Sequence, residues 1–502
     1  MEVVAALGAW ALGKFNVSLP WISDPITHHP ARISVDLGLK LSNGAQILFP
    51  STPGFEAATT RNSQYNAPNI TVVVQVAQEE DVAETVKYAN ANGIPFLAVN
   101  SGHGALASLG GVQHGIEIWL DRLDSISIAE DGTTATFGGG VKSGMIIDAL
   151  WEVGKQTVTG SCECVSLLGP GLGGGHGFLQ GIYGLVSDQF VSMRVVTADG
   201  IIRTVSSSGP HADLWWAMQG AGHNFGIVTS VTSKIYDVTY DGLWSYESYV
   251  FTYDKVEDLY DRINRFSIDG VQPVDLINYS FFFRNPDMDP ENPVIALFLF
   301  QQGKFSVESV YATPLRDLDP LVVSSGSGTY KDIPSWTSTS RDSPACQKAN
   351  IISSVCFPLN LRSYDIQAQR AAFDAFAAGT SDGSGFNNSV FLFEGYSVQG
   401  VQSVPSESTA YPHREDPLLV SPLIVYSDPA LDDKAREFGE SLREILFRAS
   451  GQKELHAYVN YASGHEQPGD WYGHESWRLE RLRALKAKYD PQENFRFYGP
   501  IV

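Results

Sequence analysis

The sequence predicts an α+β fold in two units with a returning C-terminal tail. Three observations carry this. A strand–helix–strand pattern occupies Thr71–Val99, and glycine-rich, hairpin-like segments follow it as far as Val238. Beyond Val238 the texture changes to apolar strands interspersed with long amphipathic helices. The chain has 502 residues, room for two to four domains at roughly 100–200 residues each and for a large core.

Thr71–Val76 is β-branched and reads as a buried strand. Glu79–Asn92 follows with acidic residues in its first turn, Val82, Val86 and Ala89 on one face, and Gly93 at the cap position, the pattern of a helix. Ile94–Val99 is a second strand, so the three form a βαβ unit that empties into the loop Asn100–Gly104. Ser125–Phe137 alternates around Asp131-Gly132, and Val191–Val205 around Asp199-Gly200, as hairpins do. Between them Gly144–Val153 is helical and Gly169–Gly177 is glycine-rich. Leu243–Thr252 and Val294–Phe300 read as strands, Asp254–Phe266 and Leu431–Ala449 as helices. Ser324–Thr329 and Gly379–Gly385 read as surface loops. Glu475–Tyr489 carries Leu479, Leu482 and Leu485 on one face and stops at Asp490-Pro491.

Composition narrows the function. Hydrophobic residues at 43% and charged residues at 18% make an ordinary globular mix. Lys+Arg 34 against Asp+Glu 56 leaves a net charge of −22, a surface that repels phosphate backbones and anionic lipid, so neither nucleic acid nor membrane is an expected partner. No apolar run approaches the ~18 residues of a membrane helix. The run Val3–Gly13 has the length of a signal h-region but lacks a basic n-region, and four Asn-x-Ser/Thr sites (Asn16, Asn69, Asn278, Asn387) are close to chance, so the compartment stays open. Four cysteines are too few for a disulfide scaffold. Cys346 and Cys356 could pair across a short loop, whereas Cys162 and Cys164 are awkwardly spaced for a mutual bond and poorly placed for zinc. No metal motif is present.

Gly169-x-Gly171-x-x-Gly174 fits the dinucleotide fingerprint, but it follows a cysteine-containing loop, and its glycine triplet is a poor helix start, so a Rossmann site is rejected. Glycines this dense suggest backbone packed on something flat or phosphorylated. The Asn100–Gly104 loop leaves a strand end, where α/β folds bind ligands, and its N–H groups suit a pyrophosphate. His103 alone reads more often as structural than as functional. There is no P-loop and no nucleophile elbow. Tyr458-Val459-Asn460-Tyr461 reads, from composition, as an aromatic strand.

Together these pieces occur in a recognisable order. Ser-Gly-His-Gly follows the βαβ unit; Gly160-x-Cys162-x-x-Val165 leads into the triple glycine; Tyr183-Gly184-Leu185-x-x-Asp188, Asp213-Leu214-Trp215-Trp216 and Asn224-Phe225-Gly226-Ile227-Val228 come next; Tyr458–Tyr461, Trp471-Tyr472-Gly473 and Asp490-Pro491 close the chain. From about Leu41 onward the chain resembles the berberine bridge enzyme-like FAD-linked oxidases of the vanillyl-alcohol-oxidase/PCMH flavoprotein superfamily, and among them the fungal members associated with secondary metabolism.

That resemblance implies a PCMH-type FAD-binding domain of two α+β subdomains over residues 1–238 (core about 67–238), a substrate domain of antiparallel sheet backed by helices over 239–455, and a tail, 456–502, that returns to the first. It implies FAD attached twice, through His103 to the 8α-methyl and Cys162 to C6, with Cys164 a bystander. Cys162 matches because it stands three residues before Val165 and eleven before Gly173. The implied cofactor-binding set also includes Asn100, Ser101, Gly102, Gly104, Val165, Ser166, Gly169, Gly173, Gly174, Ile227, Val228 and Asn460. Tyr461 is the implied catalytic base, with Tyr458 as alternative; in a regular strand the two would face opposite sides. The implied reaction is hydride transfer from a small-molecule alcohol, phenol or related C–H bond to flavin N5, with molecular oxygen as acceptor. Val165 resembles oxidase members, in which oxygen reaches the flavin.

Departures are visible. Ser101 and Ser166 stand where glycines are familiar, Pro170 replaces a histidine of some relatives, and Gly104–Ala107 lacks a tyrosine placed over the flavin. The missing aromatic argues against sugar oxidation and for a roomier, more apolar pocket. The carboxylate base of berberine bridge enzyme itself is not identifiable. A dehydrogenase with another acceptor, a redox-neutral cyclase and a secreted binding protein that has lost flavin are the competing readings. Oligomeric state is left open.

Overall fold

The computed structural model describes residues 30–267, 271–348 and 352–502. The apolar run Val3–Gly13 and the glycosylation site at Asn16 lie outside the described residues.

The N-terminal part holds two sheets. In the first, Gln46–Leu48, Ile70–Gln75, Gly115–Trp119 and Phe96–Val99 lie side by side in that order. Ile70–Gln75 and Phe96–Val99 each pair in parallel with Gly115–Trp119, which therefore sits between the two strands of the βαβ unit. The crossover helix is Glu79–Asn92; Gly93 closes it in the left-handed region (φ 63°), where a side chain would be strained. The second sheet orders Ile126–Ile128, Thr134–Gly138, Gly226–Lys234, Phe190–Thr197 and Ile202–Ser206, all antiparallel.

An eight-stranded antiparallel sheet forms the second part. Its path runs Val322–Thr329, Leu243–Phe251, Val294–Gln302, Leu276–Phe283, Val390–Gly395, Leu418–Tyr426, Ser353–Cys356, with Leu359–Leu361 also paired to Leu418–Tyr426. Because side chains alternate along a strand, each strand sorts its residues between two cores. Ile295, Leu297, Leu299, Phe391, Phe393 and Val420 pack against the helices Val256–Asn264, Ile366–Gly379 and Asp432–Ala449. Ile277, Tyr279, Phe300 and Leu419 face the opposite way and join Phe178, Leu172 and Tyr458 in a core shared with the N-terminal part. Glu394 and Tyr396 have the second parity, which carries a carboxylate into the seam between the two parts.

Ser324–Thr329, expected as a loop, is instead part of the edge strand Val322–Thr329, in continuous register from Leu243↔Thr329 to Val250↔Val322. Its Ser and Gly side chains contribute little to burial, and most of the strand is exposed. Backbone pairing to a strong neighbour, invisible to propensity, sets its structure. Of the expected loop Gly379–Gly385, Gly379 is the last residue of the helix Ile366–Gly379 and residues 380–385 lie outside regular structure.

The tail packs onto the N-terminal part. Lys488 Nζ and Tyr489 Oη both hydrogen-bond Asp213, at 2.6 and 2.8 Å. Buried Lys486 Nζ donates to the carbonyls of Asn224 (2.8 Å) and Phe495 (3.1 Å) and to Asp490 (2.7 Å), tying the chain end to the turn before Gly226–Lys234. Among the described residues no helix is long and apolar enough to cross a membrane.

Candidate active site

One cavity of about 480 Å³ runs through the seam, within the range of roughly 300–1,000 Å³ typical of ligand pockets. The strand end Phe96–Val99 delivers the Asn100–Gly104 loop to its wall. Cys162, Val165 and Ser166 come from the loop, and Gly169 from the short helix Leu168–Leu172, ahead of the triple glycine; Ile227 and Val228 come from a sheet strand, Tyr458, Asn460 and Tyr461 from the C-terminal part. These site residues, with His103, are brought together from chain positions hundreds of residues apart. Arg61, His176, His223, Tyr396 and Tyr498 also line the cavity and were not singled out from sequence; His176 lay inside the Gly169–Gly177 run without a role.

Gly173 and Gly174, expected at the cofactor, are not among the residues that line the cavity. A Cβ on Gly173 would stand 2.7 Å from the Asn460 side chain, and one on Gly174 (φ +107°) would stand 2.6 Å from the Tyr411 ring. Each glycine lets a side chain of the protein, Asn460 or the Tyr411 ring, approach its backbone closely.

Tyr458 and Tyr461 correct an expectation. Residues Val459–Tyr461 form a 3₁₀ turn rather than a strand, and i, i+3 side chains in that geometry eclipse. Both rings therefore face the same cavity, their centroids 5.1 Å apart. They are not equivalent. Tyr458 Oη accepts from Asn460 Nδ2 at 2.7 Å and the ring is buried. Tyr461 is only partly buried, and its Oη donates to Glu394 Oε1 at 2.8 Å. Glu394 Oε2 accepts from Tyr396 Oη at 2.6 Å, and Tyr396 is in turn hydrogen-bonded to Tyr279. Burial, reinforced by the Glu394 charge, pushes the Tyr461 hydroxyl well above the ordinary tyrosine value. Burial also raises the Glu394 carboxyl, opposed by the hydrogen bonds from Tyr396 and Tyr461. Asn460 Nδ2 also donates to the Pro170 carbonyl at 2.9 Å, which places Asn460 as a brace between the two segments.

His176 donates through Nδ1 to Gln180 Oε1 (2.9 Å) and accepts at Nε2 from Tyr411 Oη (2.8 Å), with its ring edge-on to Tyr458 at 4.7 Å. His223 donates from Nε2 to the Gly169 carbonyl at 2.8 Å. The buried atoms His223 Nδ1, Asn100 Oδ1 and Arg61 Nε, all on cavity-lining residues, have no hydrogen-bond partner among the described residues.

At the other end of the cavity His103 Nδ1 lies 3.1 Å from Ser101 Oγ, and burial, aided by the nearby Lys348 and Lys142 charges, lowers its pKa to about 4. Cys162 is a free thiol whose pKa burial raises. The pairing of Cys346 with Cys356, left open by the sequence, does not form: Cys346 is bonded to Cys164, and Cys356 is a free thiol in a strand of the large sheet. The segment bearing Cys346 is drawn over the Cys162 loop by Thr339 Oγ1, which donates to the Ser161 carbonyl (2.9 Å), and by the Glu163 N–H, which donates to the Thr339 carbonyl (3.1 Å). Cys164 is therefore no bystander.

The buried histidines set an acid limit. Burial lowers His176 and His223 to about 4 and His413 to about 3, from an ordinary 6.5. Between these values the unfolded chain binds more protons than the folded one, so stability is full above about 6.5 and falls as pH drops toward 4. Glu117, raised to about 7 by burial, acts in the opposite sense as a single group. Thermal unfolding should show a midpoint that falls from about pH 6.5 toward pH 4; a flat profile over that window would contradict neutral burial of these rings.

Comparison with known proteins places this arrangement. Residues 70–206 match a family described as an FAD binding domain, and residues 457–501 one described as berberine and berberine like. The chain is 45% identical over 505 residues to the FAD-linked oxidoreductase chyH of Penicillium rubens, covering 100% of both chains. It is 45% identical over 481 residues to the FAD-linked oxidoreductase chry5 of Gibberella zeae, covering 93% of this chain and 94% of that one. A solved structure titled for the roles of the 6-S-cysteinyl, 8α-N1-histidyl FAD in glucooligosaccharide oxidase from Acremonium strictum superposes with TM-score 0.73 at 19% identity, covering 91% of this chain and 96% of that one. Full-length identity at this level, on a fold whose Asn100–Gly104 loop and C-terminal part meet at one cavity, makes the chain a member of the berberine bridge enzyme-like family of FAD-linked oxidoreductases.

Proposed function

We propose that the protein is an oxidase of fungal secondary metabolism. It carries FAD on His103 and Cys162 and uses molecular oxygen to oxidise an alcohol, phenol or activated C–H bond of a small, largely apolar molecule. The observation that carries the reading is a single cavity with His103 and Cys162 on one stretch of wall and Tyr461, backed by Glu394, on another. The FAD-binding unit is taken to run to about Val238, the substrate unit to about 455, and the tail to rejoin the first.

The residues fit the cofactor. Arg61 Nε and the partnerless Asn100 Oδ1 and His223 Nδ1 are buried polar atoms on the cavity's residues that a polar ligand would satisfy. The glycine-containing loop Asn100–Gly104 suits a pyrophosphate, and the low pKa of His103 keeps its ring neutral, with a lone pair for a covalent bond. When bound, FAD supplies the hydride acceptor and the route for electrons to oxygen. The double attachment has its precedent in the glucooligosaccharide oxidase named above.

The chain's own residues handle the proton. A substrate hydroxyl donates to Tyr461 Oη. A free phenolate there is costly, because the hydroxyl is buried beside a carboxylate. Tyr461 avoids it by passing its own proton along the 2.8 Å bond to Glu394 Oε1 as it takes the substrate's. Tyr396 holds the other carboxylate oxygen, so Glu394 stays aimed. Val165, next to the attachment loop and on the cavity wall, leaves space for oxygen where a larger side chain would fill it.

The test is a denaturing gel viewed under ultraviolet light after acid precipitation. Wild-type protein should fluoresce. His103→Ala and Cys162→Ala should each retain flavin through one bond, and the double variant should release all colour to the supernatant. Covalent flavin in the double variant overturns both attachments. Substrate-reduced enzyme should recolour in air and form peroxide; reduced enzyme that stays bleached in air is a dehydrogenase.

A further inference from the structure

Three sulfurs meet beside the cavity. Cys162 Sγ lies 3.4 Å from Cys164 Sγ and 3.6 Å from Cys346 Sγ, the two sulfurs of the disulfide. Cys164 Sγ also lies 3.6 Å from His103 Nε2. A free thiol in contact with both ends of a disulfide is the geometry from which thiol–disulfide exchange proceeds.

We propose that Cys162, Cys164 and Cys346 form an exchange site in which one disulfide moves between Cys164–Cys346 and Cys162–Cys346, so that Cys162 is alternately a free thiol and a blocked one. In the forward step the Cys162 thiolate attacks Cys346 Sγ. The Cys162–Cys346 bond forms as the Cys346–Cys164 bond breaks. The electron pair leaves on Cys164, which takes up a proton equivalent to the one Cys162 lost. Sulfur oxidation states balance, and no outside oxidant or reductant is consumed.

The geometry also sets the pace. Cys162 is nearly equidistant from the two bonded sulfurs and so stands beside their bond; its side chain must rotate to come in line before attacking. Its raised pKa keeps it mostly protonated at neutral pH, so exchange accelerates as pH rises. Attack on Cys164 instead would close a small ring between residues two apart, leaving Cys346 as the productive target. The exchanged form frees Cys164 against His103 and takes Cys162 out of reach of any electrophile in the cavity.

One consequence rests on the proposed cofactor attachment. A thioether at Cys162 removes the attacking thiol, so flavin-bearing chains hold only Cys164–Cys346. Flavin-free chains hold both disulfides.

The experiment is non-reducing peptide mapping of the full-length protein, alkylated in acid, from riboflavin-limited cultures that yield loaded and unloaded chains together, after equilibration in glutathione buffer at pH 8.5. In unloaded chains the Cys162–Cys346 and Cys164–Cys346 peptides should both appear, and in loaded chains only the second. Cys164→Ser should shift all of the disulfide to Cys162–Cys346 and leave Cys162 without flavin. Unloaded wild-type chains holding Cys164–Cys346 alone overturn the exchange, as does Cys164→Ser with Cys162 and Cys346 both alkylated. Should Cys164→Ser fail to fold, the wild-type map decides. Both disulfides in a protein that never gains covalent flavin would keep the exchange and overturn the attachment; covalent flavin with a single fixed disulfide in unloaded chains would do the reverse.

Discussion

Tyr461→Phe is expected to lower kcat by about 10²–10⁴-fold, the range contributed by a positioned general acid–base group, with KM changed only a few-fold. The ring remains to pack against Tyr458 and to shape the cavity. What disappears is the hydroxyl that donates to Glu394 and that, in the proposed reaction, takes the substrate's proton. Tyr458→Phe should cost far less, because its hydroxyl is already engaged by Asn460 and its ring is buried. Glu394→Gln should reduce kcat and move its pH profile, since an amide keeps the hydrogen bond to Tyr461 but no longer takes the proton. Steady-state kinetics against pH for the three variants checks the assignment. If Tyr458→Phe were the severe variant and Tyr461→Phe the mild one, the roles would be reversed.

Arg414→Ala is expected to destabilise the fold by about 3–5 kcal/mol, the cost of breaking one partner of a buried ion pair. Arg414 grips Asp188 through both nitrogens, at 2.8 and 2.9 Å, and also donates to Thr409 Oγ1 and the Val401 carbonyl. The two side chains are 3% and 2% exposed, so water cannot replace the lost partner. Asp188 belongs to the N-terminal part and Arg414 to the segment before the strand Leu418–Tyr426, so the pair bridges the seam. Alanine strands the Asp188 charge. A double variant, Arg414→Met with Asp188→Leu, should recover much of the loss, because desolvation and attraction nearly cancel in such pairs. Denaturant unfolding of the single and double variants measures both; equal loss in the two would place the effect in packing rather than charge.

Much of the architecture was legible because its signals are local. Glu79–Asn92 announced itself through its acidic first turn and Gly93, and both Asp-Gly hairpins formed where alternation placed them. The edge strand Val322–Thr329 was not, since its pairing comes from a segment some eighty residues earlier. The cavity wall was legible where motifs are dense, around His103 and Cys162. Glu394 was missed because one acid in a run of phenylalanines carries no role until the strand's parity and its neighbours are known; its only signal was that a carboxylate stood in an otherwise apolar strand. Tyr458 and Tyr461 were legible as a pair but not in their orientation, which depends on a tight turn that four residues do not betray. Cys346 found Cys164 rather than Cys356 because the segment 337–346 crosses to the other part of the molecule, a matter of tertiary topology.

The cavity draws its walls from Arg61 near one end of the chain to Tyr498 near the other. A nascent polypeptide still threaded in the ribosome therefore lacks a complete pocket, even after most of its strands have emerged. A complete pocket must wait for residues 494–498 to emerge. A truncation from Asn494 onward would strip one wall while sparing His103 and Cys162, and such a chain should carry less flavin than the full-length protein, as read from its visible absorbance after purification.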